Sequence, residues 1–190
     1  MTSETPTNAS DEIRYAPRAV ADDEWIRAFL ARQPTGVFGF VDEGSPYLVS
    51  QLFVYDEAEH AVFFHGANTG RTRNVVERDG EACFTVTEMG RLLPAEKPVN
   101  FDVEYSSVVV FGRTRRLADP NEKHRVLEQV MAKFAPQMES DRDYEPISDA
   151  SVDRTSVYRL DVDRWSAKRN WEDADFSGAY DYEPSDDRPD

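Results

Sequence analysis

The segment Phe64-His65-Gly66-Ala67-Asn68-Thr69-Gly70-Arg71-Thr72-Arg73 carries the residues best suited to chemistry. It reads as a strand end, a loop of small residues, and a helix that opens with two arginines. A helix N-terminus bears partial positive charge, so acids are favoured there and cations are not. Arg71 and Arg73 therefore need an anion beside them. Free backbone N–H groups at a helix start, together with guanidinium groups, make a site for phosphate. Pairing with surface carboxylates would satisfy the same arginines, and this acid-rich chain has many. Spacing alone leaves the two readings level.

Other chemistries find less support. His65 ends a strand beside the loop, whereas His60 and His124 read as surface residues. The three histidines lack metal-ligand spacing with one another or with Cys83, so no metal site is expected. There is no catalytic triad, no GxGxxG after a strand and no Walker loop, which argues against the usual dinucleotide folds. Cys83 is the only cysteine, so no disulfide within the chain is possible. Its place in an apolar alternating run predicts a buried structural thiol.

The elements that must position the loop follow from periodicity. Asp22 or Asp23 caps a predicted helix to about residue 32, with Trp25, Ile26, Phe29 and Leu30 on one face. Strands are predicted over 36–41, 46–55 and 60–65, and Tyr47, Val49, Leu52 and Val54 are candidates for burial. The alternation breaks near Gln51, which suggests a bulge. A short helix over 71–78 turns Val75 and Val76 inward. A fourth strand over 82–87 precedes an irregular stretch at 88–102. A long fifth strand covers 103–117, where Gly112 permits a bend. A helix from Asp119-Pro120 carries the stripe Val126, Leu127, Val130, Met131 and Phe134. An acidic loop at 137–154 leads to a sixth strand over 155–162. Six antiparallel strands and about three helices favour a mainly β fold, a small barrel with flanking helices.

The chain has 190 residues, with 37 acids against 22 bases and a net charge of −15. Residues 1–16 read as a flexible arm, 17–170 as one domain and 171–190 as an acidic, solvated tail. So acidic a chain repels nucleic acid and anionic membranes. The composition fits a halophilic protein, because high salt screens self-repulsion. No secretory signal and no membrane span is visible, so a soluble cytoplasmic protein is expected.

The order of the pieces resembles the FMN-binding split-barrel superfamily, in its pyridoxamine 5′-phosphate oxidase-related, nitroimidazole-resistance-like branch. The resemblance rests on Phe64-His65-Gly66-Ala67 with Gly70-Arg71, then Cys83-Phe84-Thr85-Val86, then Tyr105 to Gly112. Asn121-Glu122-Lys123 before the apolar helix agrees, as does Val157-Tyr158-Arg159-Leu160 followed by Trp165-Ser166-Ala167-Lys168. It spans roughly residues 15–170.

This resemblance implies a six-stranded antiparallel split β-barrel of Greek-key type, paired as a homodimer with FMN at the interface. It implies that Thr69, Gly70, Arg71, Thr72 and Arg73 hold the FMN phosphate. The family often has lysine where Thr72 stands; Arg73 would supply that charge and Thr72 a hydroxyl. Ser50, Gln51 and Leu52 would line the isoalloxazine, without the proline the family commonly has near Gln51. Ser107, Trp165 and Lys168 would complete the pocket. A histidine matching His65 lies close to the flavin in that branch, as proton donor or pocket wall. The activity implied is oxidation or reduction of a small aromatic or nitro compound at the flavin. Flavin binding without turnover is an alternative, as is a barrel holding haem or a deazaflavin. The arginine and histidine set that binds substrate phosphate near the C-terminus of pyridoxamine phosphate oxidase is absent.

Overall fold

The computed structural model describes residues 13–184. The first twelve residues of the predicted arm, and the last six of the predicted tail, lie outside that range. Two compact units are present: a larger one from Asp22–Val86 and Val109–Trp165, and a smaller one from the described residues outside those segments.

The strands are β1 (Ala19–Val20), β2 (Thr35–Asp42), β3 (Ser45–Leu52), β4 (Val54–Asp56), β5 (Ala61–Ala67), β6 (Glu81–Leu93), β7 (Asp102–Arg116) and β8 (Thr155–Asn170). The helices are α1 (Asp23–Arg32), α2 (Arg71–Arg78), α3 (Pro120–Phe134) and α4 (Asp149–Arg154). The strands form one eight-stranded sheet in the order β3-β2-β6-β7-β8-β5-β4, with β1 added beside β8. Its class, mainly antiparallel β with flanking helices, is the predicted one; its strand number is eight and not six. One extra strand is the two-residue β1. The other arises because the stretch read as a single strand over 46–55 is cut at Phe53. Three consecutive residues, Phe53, Val54 and Tyr55, are buried there, which no alternating strand permits. The break therefore falls at Phe53 and not at Gln51. The sheet's first and last strands, β3 and β4, are joined by that one residue, and no ladder closes them on each other.

In the larger unit the sheet packs one face around aromatic rings. Phe38 lies 4.1 Å from Phe64 and 4.4 Å from Phe84, between ring centroids. Phe64 stacks on Tyr158 at 4.8 Å, and Phe53 meets Phe84 edge-on. The other face of β5 is covered by α3: Ala61, Phe63 and Val157 pack with Leu117 and Val126. Helix α1 forms as the sequence predicts, because Asp22 Oδ1 accepts from the N–H groups of Glu24 and Trp25 and Phe29 and Leu30 are fully buried. Gly112 serves close approach: a Cβ there would lie 1.9 Å from the Asp161 carbonyl oxygen.

Three further expectations need correction. Cys83 is exposed, because Ala82, Phe84 and Val86 take the inward positions of β6 and leave Cys83 on the outer face, opposite Gly39. Leu52 is exposed for the same reason of parity, on the outer face of β3. The predicted acidic loop contains α4, capped by Ser148 and anchored by buried Val152.

The smaller unit holds ordered chain where the sequence predicts an irregular stretch and a solvated tail. Strand β6 continues through Met89, Gly90 and Arg91 to Leu93. Leu92 exchanges backbone hydrogen bonds with Tyr180, so the acidic C-terminal segment docks on that strand. Arg91 and Glu104 fasten it. Glu104 is 1% exposed and receives Nη2 of Arg91 at 2.5 Å, Nε at 2.9 Å and the Arg91 backbone N–H at 3.0 Å. The same guanidinium donates to the carbonyls of Asp173 and Ala174.

Candidate functional site

Helix α2 begins without a side-chain cap. Its N-cap is Gly70, at φ 119° and ψ 179°, a backbone state that a side chain strains. Asn74 makes the first bond of the helix, to the Gly70 carbonyl. The N–H groups of the first turn therefore have no side-chain oxygen to cap them. Val75 and Val76, buried, pin the helix to the unit.

The loop before it is braced by Asn68. Its Nδ2 donates to the Asp153 carbonyl at 2.6 Å, and its Oδ1 accepts from Ser156 Oγ at 2.8 Å. Its own carbonyl accepts from Arg73 Nη1 at 2.5 Å. Loop, helix start and the beginning of β8 are thus tied together.

These elements enclose a cavity of about 170 Å³. Of the residues singled out in the sequence, Gln51, Thr69, Gly70, Arg71, Thr72 and Arg73 line it. Gly66, Ala67 and Tyr158 line it as well. Tyr158 is buried, and burial pushes its hydroxyl pKa upward against the opposing hydrogen bond with Ser156 and the charge of Arg73. It reaches the cavity because it pairs opposite Phe64 across β5 and β8. Nothing local in the sequence signals a pairing of residues that far apart.

Both arginines have carboxylate partners. Arg71 Nε donates to Asp42 Oδ2 at 2.6 Å, and its guanidinium lies 4.5 Å from the centre of the Tyr47 ring. Tyr47 in turn hydrogen-bonds Thr72 Oγ1 at 2.8 Å. Arg73 Nε donates to Glu77 Oε1 at 2.9 Å. Each carboxylate is shared: Asp42 also takes Arg78 at 2.5 Å, and Glu77 also takes Arg116 at 2.9 Å. Hydrogen bonds from Arg78 and then Arg71 hold the Asp42 pKa below its usual range. Arg73, then Arg116, do the same for Glu77. Four guanidinium groups thus share two carboxylates, with Glu43 a more distant third at 3.9 Å from Arg78. The two sequence readings of Arg71 and Arg73 turn out compatible: surface acids pair with them without cancelling their charge.

The remaining singled-out residues lie elsewhere. Ser50 and Leu52 alternate with Gln51 and point to the exposed outer face of β3. His65 pairs with Val157 and shares the face of Phe63, which α3 covers, whereas the cavity opens from the face of Phe64 and Gly66. Its Nδ1 is buried without a hydrogen-bond partner, and burial lowers its pKa, so the imidazole is neutral at pH 7. Trp165 donates from Nε1 to Asp23 at 2.9 Å and meets the His60 ring edge-on at 4.7 Å. Ser107 is half-buried and Lys168 exposed, and both belong to the smaller unit. Among the described residues no group of three His, Cys, Asp or Glu side chains is placed to hold a metal ion. No helix among them is long and apolar enough to cross a membrane.

A second recess, of about 410 Å³, opens on the outer sheet face of the larger unit. Val41, Leu48, Cys83 and Phe111 supply its apolar lining, beside Arg113 and Arg164.

Comparison with known proteins places this geometry. The sequence matches the family described as pyridoxamine 5′-phosphate oxidase over residues 22–169. Comparison with functionally curated sequences gives no significant match. Among solved structures, the flavocytochrome Anf3 from Azotobacter vinelandii is similar with a TM-score of 0.78 at 24% identity, over 99% of this chain and 91% of that one. The FAD- and haem-binding protein from Mycobacterium smegmatis gives 0.72 at 20% identity, over 83% and 77% of the two chains. A candidate 5-nitroimidazole antibiotic-resistance protein from Bacteroides thetaiotaomicron gives 0.66 at 20% identity, over 80% and 86%. At these identities the likeness establishes a common fold.

Proposed function

Because the chain belongs to the pyridoxamine 5′-phosphate oxidase family, we propose that it is a flavoprotein that grips FMN by its phosphate at the start of α2. The observation that carries this reading is the cavity at an uncapped helix start, lined by two arginines whose carboxylate partners are shared. Its donor set suits a phosphate: guanidinium N–H groups, the Thr69 and Thr72 hydroxyls and the first-turn backbone N–H groups. At about 170 Å³ it is smaller than the ~300–1,000 Å³ of whole-ligand pockets, so it takes one end of a cofactor. The names of two structural neighbours, a flavocytochrome and an FAD- and haem-binding protein, support a flavin as that cofactor.

The flavin would supply hydride or electron transfer to a small aromatic or nitro compound. The chain's own residues would bind and orient it. Arg71 and Arg73 neutralise the phosphate. Thr72, held by Tyr47, directs a hydroxyl toward it, and Tyr158 and Gln51 close the cavity's inner side. The flavin ring would lie outside this cavity, near Ser50 and Leu52. Ser107, Trp165 and Lys168 would then come from the second subunit of a homodimer. The apolar recess of Val41, Leu48, Cys83 and Phe111 is the surface that second copy would cover.

Titration with FMN, monitored by quenching of flavin fluorescence, should give one FMN per chain in a dimeric species by sedimentation. Steady-state assays should then show oxidation of a reduced nicotinamide nucleotide with a nitroaromatic acceptor. Stoichiometric flavin without turnover on nitroaromatics, nicotinamide nucleotides or pyridoxamine phosphate would remove the enzymatic part and leave a flavin carrier. Absence of flavin binding would remove the whole reading.

A further inference from the structure

Asp42 occupies a position that the phosphate reading leaves unexplained. A carboxylate next to a phosphate site repels the ligand, yet Asp42 sits on the arginine that would hold it. Its geometry shows what it does. It accepts the Nε–H of Arg71 through one oxygen and Arg78 through the other. An arginine held by Nε keeps its two terminal Nη groups for a bidentate partner. The Tyr47 ring supports the same guanidinium, fixing its plane. Arg78 offsets the carboxylate's charge, so the bracket adds little repulsion of its own. Arg73 is held in a parallel way, by Nε on Glu77 and by Nη1 on the Asn68 carbonyl.

We propose that Asp42 is a positioning residue of the flavin-phosphate site, holding Arg71 with its terminal N–H groups presented to the phosphate. The inference rests on the FMN reading above. In its absence Arg71, whose side chain is 52% exposed, samples many rotamers and must be ordered when the ligand binds.

The test compares FMN with riboflavin, which has the same ring and no phosphate. Asp42→Ala should weaken FMN binding about 5- to 10-fold, the cost of immobilising one long side chain, and leave riboflavin affinity unchanged. Asp42→Asn keeps an acceptor for Arg71 and should stay within about twofold of wild type for both. In an Arg71→Ala background, Asp42→Ala should change FMN affinity less than about twofold, because the residue to be positioned is gone. An Asp42→Ala protein that binds FMN as tightly as wild type, or tighter, overturns the inference, since a carboxylate that merely repels phosphate gives that result. So does equal loss of FMN and riboflavin affinity, which marks a role in folding alone. A wild-type protein that prefers FMN no more than riboflavin overturns the phosphate site itself, and separates that failure from the failure of Asp42.

Discussion

Replacing Arg71 and Arg73 together by alanine weakens FMN binding at least about 100-fold while the chain stays folded. The size follows from the type of contact. Hydrogen bonds to a charged group contribute about 1.5–3 kcal/mol each, and two guanidinium groups on one phosphate lose at least two of them. Retention of the fold follows from the sharing of carboxylates. Asp42 keeps Arg78 and Glu77 keeps Arg116, so neither acid is orphaned. Val75 and Val76 still anchor α2. The one lost internal contact of note is Arg73 with the Asn68 carbonyl, which costs about 1 kcal/mol. Fluorescence titration and circular dichroism read the two halves of this result. A double variant that still binds one FMN per chain with wild-type affinity would remove the phosphate from this cavity.

Arg91→Ala has the largest expected effect on stability, about 3–5 kcal/mol. Its partner Glu104 is buried, and removal of the guanidinium leaves that carboxylate with only the backbone N–H groups of residues 91 and 172. The Asp173 and Ala174 carbonyls lose their donor at the same time, so the C-terminal segment loosens from β6. Thermal unfolding and amide exchange in residues 172–180 should both report the change. The pH dependence has a fixed sign. Hydrogen bonding from Arg91 foremost holds the Glu104 pKa at about 2, against an ordinary 4.5. A depressed carboxylate pKa gives stability that is fully present above the unfolded value and is lost as pH falls through the folded one. The gap between wild type and variant is therefore full above about pH 4.5 and closes as pH falls toward 2. A gap that stays constant from pH 7 to about pH 2 contradicts a role for the Glu104 charge.

Local features of the fold were legible from residue order. Asp22 announced α1, the valine pair at 75–76 set the inward face of α2, and Asp119-Pro120 opened α3. The helix-start arginines marked the cavity for the same reason: their oddity is local. What failed depends on pairing between distant segments. Cys83 and Leu52 were assigned to the interior because apolar runs do not reveal which parity faces in. Strand β6 was cut short because the partners that order it, Glu104 and Tyr180, lie far along the chain. Tyr158 enters the cavity only through the register of β5 with β8. His65 is different: strand alternation alone separates it from Gly66, so its place on the α3 side was available from the sequence.

The account stands on a flavin held by its phosphate, and one spectrum tests it. The protein is mixed with equimolar FMN, passed through a desalting column, and its visible absorption recorded against its protein content. Retained flavin bands in the blue, shifted from those of free FMN and equivalent to one flavin per chain, are the expected result. A protein fraction with no flavin bands, or with a Soret band in their place, would contradict it.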